Sequence, residues 1–266
     1  MIIDVIGVTG SGKSTLAQVL CSSSTEGRKP FCSSSHVALA QVRSWVPKPF
    51  RRYMDDKRFE LHQFGWVANL LYVRPDSTVS LEADLKQLTE DWYEVLKIAS
   101  RLSQSNWSSI PDQVIAFQYF LRPFLTRIAL ERQDLSLPII CDEGLSLRPR
   151  LFGQSLEDVA GAEEYFSAVP KPRGLIVLDC RDPELLYKRL NARTLSGGKV
   201  AGRHAGCSVT EIKRDLIAQV NLIDMATAIF SSRNIPMLRL DARSSNNELV
   251  IECMRFFETL TISSAS

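Results

Sequence analysis

The chain of 266 residues lacks any apolar run of about 18 residues, so no segment reads as a membrane-spanning helix. Its start, Met1-Ile2-Ile3-Asp4-Val5-Ile6-Gly7, lacks the basic opening and small-residue cleavage site of a secretory leader. Six cysteines (Cys21, Cys32, Cys141, Cys180, Cys207, Cys253) are scattered, with no C-x-x-C pair and no histidine at metal-ligand spacing. That pattern is expected of reduced thiols in a cytoplasmic protein. An excess of either charge is also missing, since 32 Lys and Arg stand against 30 Asp and Glu for a net charge of +2. With no overall basic field, neither a nucleic acid nor a membrane surface is expected as a partner. Internal repeats are absent. Low complexity is confined to the serines at 22–24 and 33–35 and to the tail 263–266, which is expected to fray.

What the chain does have is an alternation of short apolar strands and amphipathic helices. Residues 2–6 are β-branched apart from Asp4 and run into a glycine-rich turn, after which Leu16, Val19 and Leu20 mark a helix. A weaker strand is expected within 31–37. A helix is expected over 60–73, and Leu81, Leu85, Leu88, Trp92, Val95, Ala99 and Leu102 step by three and four along a longer one. The next helix spans 113–132, and Pro123 should kink or split it. Leu137-Pro138-Ile139-Ile140-Cys141-Asp142 and Leu175-Ile176-Val177-Leu178-Asp179 each read as a buried strand ending in an acid. Ser155 with Asp158, Asp182 with Pro183, Ser208 with Glu211 and Ser245 with Glu248 mark four helix starts, and Met237 to Leu240 is the last strand. This order predicts an α/β fold with a doubly wound, mainly parallel, five-stranded sheet. One domain over 1–262 is expected, with a helical insertion at about 50–133.

Gly7-Val8-Thr9-Gly10-Ser11-Gly12-Lys13-Ser14 matches G-x-x-x-x-G-K-[ST] and lies between the first strand and the first helix. The chemistry requires these residue types. Glycines let backbone N–H groups turn inward as an anion nest, and the helix amino end adds positive potential. Lys13 neutralises terminal phosphate oxygens, Ser14 offers a hydroxyl to Mg²⁺, and Thr15 can assist at the α-phosphate. Thr9, Gly10, Ser11, Gly12, Lys13, Ser14 and Thr15 are therefore the candidate nucleotide-binding residues. Asp142, at the carboxyl end of a strand beside the loop strand, is assigned with Ser14 to the metal, and Glu143 to the acceptor proton. Arg189 and Arg193 lie four apart on one helix face and lead into a segment with four glycines (197, 198, 202 and 206) and Lys199, Arg203 and His204. No N-K-x-D base-recognition sequence is present, which argues against a GTPase switch.

In the order of these parts the chain resembles the P-loop nucleoside and nucleotide kinases, the thymidylate and deoxynucleoside kinases among them. The resemblance implies ATP and Mg²⁺ as cofactors, a small-molecule acceptor enclosed by the inserted helices, and a lid at about 189–207. It also implies that Arg189, Arg193 and Arg203 act on the transferring phosphoryl group, and that Asp241-Ala242-Arg243-Ser244 lies against the adenine. The sequence departs from the family in two places. Glu143 stands where an arginine is usual, and the stretch 32–41 offers His36 but no acid. Arg148 and Arg150 are candidates for the missing cation. A nucleoside or nucleotide is the leading acceptor. A sugar, antibiotic or other metabolite is the alternative, as is an ATPase or regulator with no small-molecule acceptor. A homodimer is kept open as the assembly.

Overall fold

In a computed structural model of the chain, β1 (Ile2–Gly7) is buried at every position, which requires covering layers on both faces of its sheet. The structure describes residues 1–22, 32–33, 89–131, 138–142, 144–153, 158–195, 204 and 206–262. The expected helix at 60–73, the residues Leu81, Leu85 and Leu88, Glu143, Ser155, Lys199, Arg203, His36 and the tail lie outside these residues.

The strands form one sheet in the order β2–β3–β1–β4–β5, with β2 (Cys32–Ser33), β3 (Ile139–Cys141), β4 (Gly174–Asp179) and β5 (Met237–Asp241). Every pairing is parallel: Ile2 pairs with Ile139, Gly7 with Leu178, and Asp179 with Asp241. From β1 the chain travels toward β2 on one side, whereas from β4 it travels toward β5 on the other. The loops leaving β1 and β4 therefore part in opposite directions, and a crevice at the carboxyl ends of the strands is the consequence.

Seven helices accompany the described strands: α1 (Lys13–Ser22), α2 (Glu90–Ser105), α3 (Ile110–Glu131), α4 (Val159–Ala168), α5 (Pro183–Leu195), α6 (Val209–Ser232) and α7 (Asn246–Ile262). Helix α1 packs on α7, α2 on α3 and α4, and α6 on α4 and α5. One continuous core joins β1 and β4 to Leu16, Leu102, Phe124, Tyr165, Leu216 and Phe257, one residue from each of six helices. Aromatic rings fill the space among α3, α4 and α6, with Phe120, Tyr165, Phe166 and Phe230 in successive edge or tilted contacts.

The capping signals act as their chemistry demands. Ser208 and Glu211 close a reciprocal capping box at the start of α6, and the Ser208 N–H and hydroxyl hold the Glu211 carboxyl below the usual carboxylate range. Asp182 Oδ1 accepts from the N–H groups of Glu184 and Leu185 at 2.9 and 3.1 Å.

Two local expectations are corrected. Of the kink or split expected at Pro123, the split does not occur, since α3 runs from Ile110 to Glu131 with Pro123 inside it. Its cost, about 3 kcal/mol in a helix interior, is offset by burial of Phe120, Phe124 and Ile128. Tyr119, the residue whose carbonyl loses its donor, is half exposed, so water can take that role. The second correction concerns α4. Asp158 is its N-cap, accepting from Gly161 N at 2.9 Å, rather than the third helical residue after a serine cap.

Candidate active site

The turn after β1 is built by its glycines. Gly10 and Gly12 have φ of 88° and 103°, values that L side chains rarely adopt, and the Ser11 N–H donates to Val8 O at 3.0 Å to close the bend. The first helical N–H groups of α1 have no intrahelical acceptor, and no acidic residue stands in its first turn. Positive potential at that helix end is thus left for an incoming anion. Ser14 and Thr15 are exposed there, and Ser11 is buried. Ser11 Oγ has no hydrogen-bond partner among the described residues. Lys13 folds back along the loop and donates to Gly7 O at 2.7 Å and Val8 O at 3.1 Å.

Helix α5 closes the far wall. A Cβ on Gly10 would come within 3.2 Å of Leu186 O and of the Leu190 side chain, so loop and helix touch directly. Arg189, on the same face, donates from Nη1 to Ser11 O at 3.4 Å and from Nη2 to Ala242 O at 2.9 Å. One guanidinium therefore ties the turn after β1 to the turn after β5. That second turn, Asp241 to Ser244, is pinned by Ala242 N donating to Asp179 O at 2.8 Å. Arg243 N and Nε both donate to Asp241 Oδ1, and this contact holds the Asp241 carboxyl at about 2. Arg193 stands one helical turn beyond Arg189 and is exposed.

Asp142 is half-buried at the end of β3, and the register of Asp4 with Cys141 sets it beside the carboxyl half of β1. What fixes the turn that follows is Asp4, a residue to which the sequence pattern gave no role. Its carboxylate, 1% exposed, accepts from Ser146 N at 3.1 Å and Ser146 Oγ at 2.5 Å. Gly144 is packed so closely on that carboxylate that a Cβ would lie 2.4 Å from it. The countercharge comes from α3, where Arg127 Nη1 stands 3.4 Å from Asp4 Oδ1 and Nε donates to Glu131 at 2.7 Å. Burial opposes the Arg127 charge, but Asp4 and then Glu131 outweigh it, and its pKa is raised.

Arg148 and Arg150, the candidates for the missing cation, are both engaged. Arg148 donates from Nε to Gly144 O at 2.8 Å, bracing the same turn, and the Arg150 guanidinium lies 4.8 Å from the centre of the Tyr119 ring. Tyr93 and Tyr119 are exposed on α2 and α3, whereas Trp92 packs edge-on against Phe124 at 5.4 Å. A cavity of about 640 Å³ lies at the opposite, amino edge of the sheet, between Ile2, Arg127, Ile139, Lys171, Arg233 and Pro236, away from the loop. Gln219 of α6, also without a role in the sequence reading, accepts the Thr9 N–H at 3.0 Å and the Thr9 hydroxyl at 2.9 Å.

No family model matches the chain, and no curated protein matches it. Among solved structures it is similar to the deoxyadenosine kinase of M. mycoides with its products dCMP and a flexible dCDP bound. The identity is 11% and the TM-score 0.45, over 97% of this chain and 100% of that one. It is likewise similar to deoxyadenosine kinase from M. mycoides with dATP bound, at 11% identity and a TM-score of 0.40 over 97% and 100% of the two chains. The geometry of the site therefore carries the functional reading.

Proposed function

We propose that the chain is an ATP- and Mg²⁺-dependent phosphotransferase that moves the γ-phosphoryl group to a small-molecule acceptor, a nucleoside or nucleotide. The observation that carries this reading is the convergence of Lys13, the two positive-φ glycines and Arg189 at the carboxyl edge of the parallel sheet. Backbone N–H groups of Gly10, Gly12 and Lys13 would hold the β-phosphate, Lys13 would swing from the loop carbonyls to the β- and γ-oxygens, and Arg189 would meet charge on the equatorial oxygens. The turn at Asp241 to Ser244, tied to Arg189, would offer backbone groups to the adenine.

The donor set suits a hard cation. Ser14 Oγ and Asp142 are the oxygen ligands assigned to Mg²⁺. No cluster of three or more His, Cys, Asp or Glu stands ready to hold a metal among the described residues. A cation held by one or two protein oxygens and otherwise by phosphate and water is the arrangement Mg²⁺ favours. When bound it neutralises charge between the phosphates. Glu143 would take the acceptor proton, and Arg193 and Arg203 would add positive charge near the migrating group.

ADP release measured over a panel of nucleosides, monophosphates, sugars and buffer alone tests this directly. Release that depends on a nucleoside or nucleotide supports the proposal. Release driven by a sugar or other metabolite reassigns the acceptor, and release in buffer alone makes the chain an ATPase. For Arg189→Ala and Arg193→Ala, kcat should fall more than ATP binding weakens, by about 100-fold at Arg189. The reverse split, with binding lost and kcat kept, would place these arginines in ground-state contacts.

A further inference from the structure

The amide of Gln219 is held at both ends. Its Oε1 accepts both hydrogens of Thr9, and its Nε2 donates to Asp215 Oδ2 at 2.7 Å. That orientation is forced, because a backbone N–H cannot accept and a carboxylate cannot donate. The same Asp215 oxygen lies 2.8 Å from His204 Nε2, which must carry the hydrogen between them. The chain is shielded from water: Gln219 is 1% exposed as a residue, and the His204 and Asp215 side chains are 4% and 11% exposed. It runs from the turn before α6 to the residue that precedes Gly10, whose φ of 88° begins the phosphate nest.

We propose that Gln219 is a positioning residue for the phosphate loop, and that Asp215 and His204 orient it. The inference rests on the reading of residues 7–14 as a triphosphate cradle. Thr9 is the residue from which the turn carrying the N–H groups of Gly10, Gly12 and Lys13 departs. With both Thr9 hydrogens committed to Gln219, the start of that turn is fixed before nucleotide arrives, and the ordering cost of binding is reduced. Thr9 then serves as the anchor of the loop rather than as a phosphate ligand. His204 acts three bonds away, by holding the carboxylate that holds the amide.

The test uses the full chain with Gln219→Leu, His204→Leu, the conservative His204→Gln, and the double Gln219→Leu/His204→Leu. Amide hydrogen exchange across residues 9–13 is measured without ligand, and MgATP affinity by calorimetry. Gln219→Leu and His204→Leu should each speed exchange in the loop about five- to tenfold and weaken MgATP to a similar degree. His204→Gln, which keeps a nitrogen donor at the same reach, should restore wild-type exchange. The double variant should be no worse than Gln219→Leu alone, as members of one chain are not additive. Unchanged loop exchange in Gln219→Leu, a silent His204→Leu, or faster exchange spread evenly over the sheet would overturn the proposal. Should Gln219→Leu fail to fold, Thr9→Val removes only the hydroxyl arm and is expected to speed loop exchange, and no change there overturns the anchoring role. A wild-type chain that binds no MgATP while its loop exchange responds as described would overturn the cradle reading and uphold the coupling.

Discussion

Lys13→Ala should fold as the wild type does and lose phosphoryl transfer by at least about 100-fold. The ammonium makes its described hydrogen bonds to the carbonyls of Gly7 and Val8, on a half-buried side chain at the helix start, so little core is lost with it. In the proposed transfer, charge spreads over phosphoryl oxygens in the transition state, and an ammonium at the loop would neutralise it. Circular dichroism and a thermal melt establish the fold, and ADP release establishes the loss. A folded variant with near-normal turnover would remove Lys13 from the chemistry.

The second large effect is on stability. Asp4→Ala strands Arg127 in the core, with its side chain 6% exposed and, among the described residues, Glu131, itself 37% exposed, left as its ion-pair partner. Removing one member of a buried ion pair costs about 3–5 kcal/mol, much of it the charge left behind. Ser146 also loses the acceptor of its N–H and its hydroxyl, and the turn after Asp142 loses its anchor. Urea unfolding should therefore show a large loss for Asp4→Ala. Asp4→Leu combined with Arg127→Met should be more stable than either single change, because a paired apolar replacement leaves no orphan charge. A cost below about 1 kcal/mol for Asp4→Ala would mean that water reaches the pair and screens it.

The contrast between Lys13 and Asp4 shows what the sequence could reveal. The loop motif was legible because its chemistry is local: an anion nest needs glycines, a lysine and a hydroxyl within eight consecutive positions, flanked by strand and helix. The strands after it were legible for a similar reason, since a fully covered parallel strand must be apolar throughout. The helix starts at Ser208 and Asp182 rest on contacts three residues long or shorter. Arg189 was found by its helical spacing to Arg193, although nothing in that spacing showed that it would tie the loop to Ala242.

Asp4 and Gln219 stayed hidden because their partners are remote, 123 residues away for Arg127 and 210 for Thr9. A lone carboxylate in an otherwise apolar strand was the visible sign at Asp4, since such a group needs a buried countercharge. Gln219 gave no sign, as a polar residue on a long amphipathic helix is ordinarily solvated. The split expected at Pro123 and the cap expected at Ser155 failed for a different reason. Both follow local rules worth a few kcal/mol, and packing of Phe120, Phe124 and Ile128 outweighs the first, while Asp158 displaces the second as the cap.

The measurement that bears most directly on the central claim is a calorimetric titration of the full chain with MgATP, repeated on Lys13→Ala. Saturable binding at one site per chain, weakened by at least about tenfold in Lys13→Ala, is the result expected of a phosphate-binding loop that meets its ligand through charge. Absence of any heat of association in the wild type, or equal affinity in the two proteins, would contradict it.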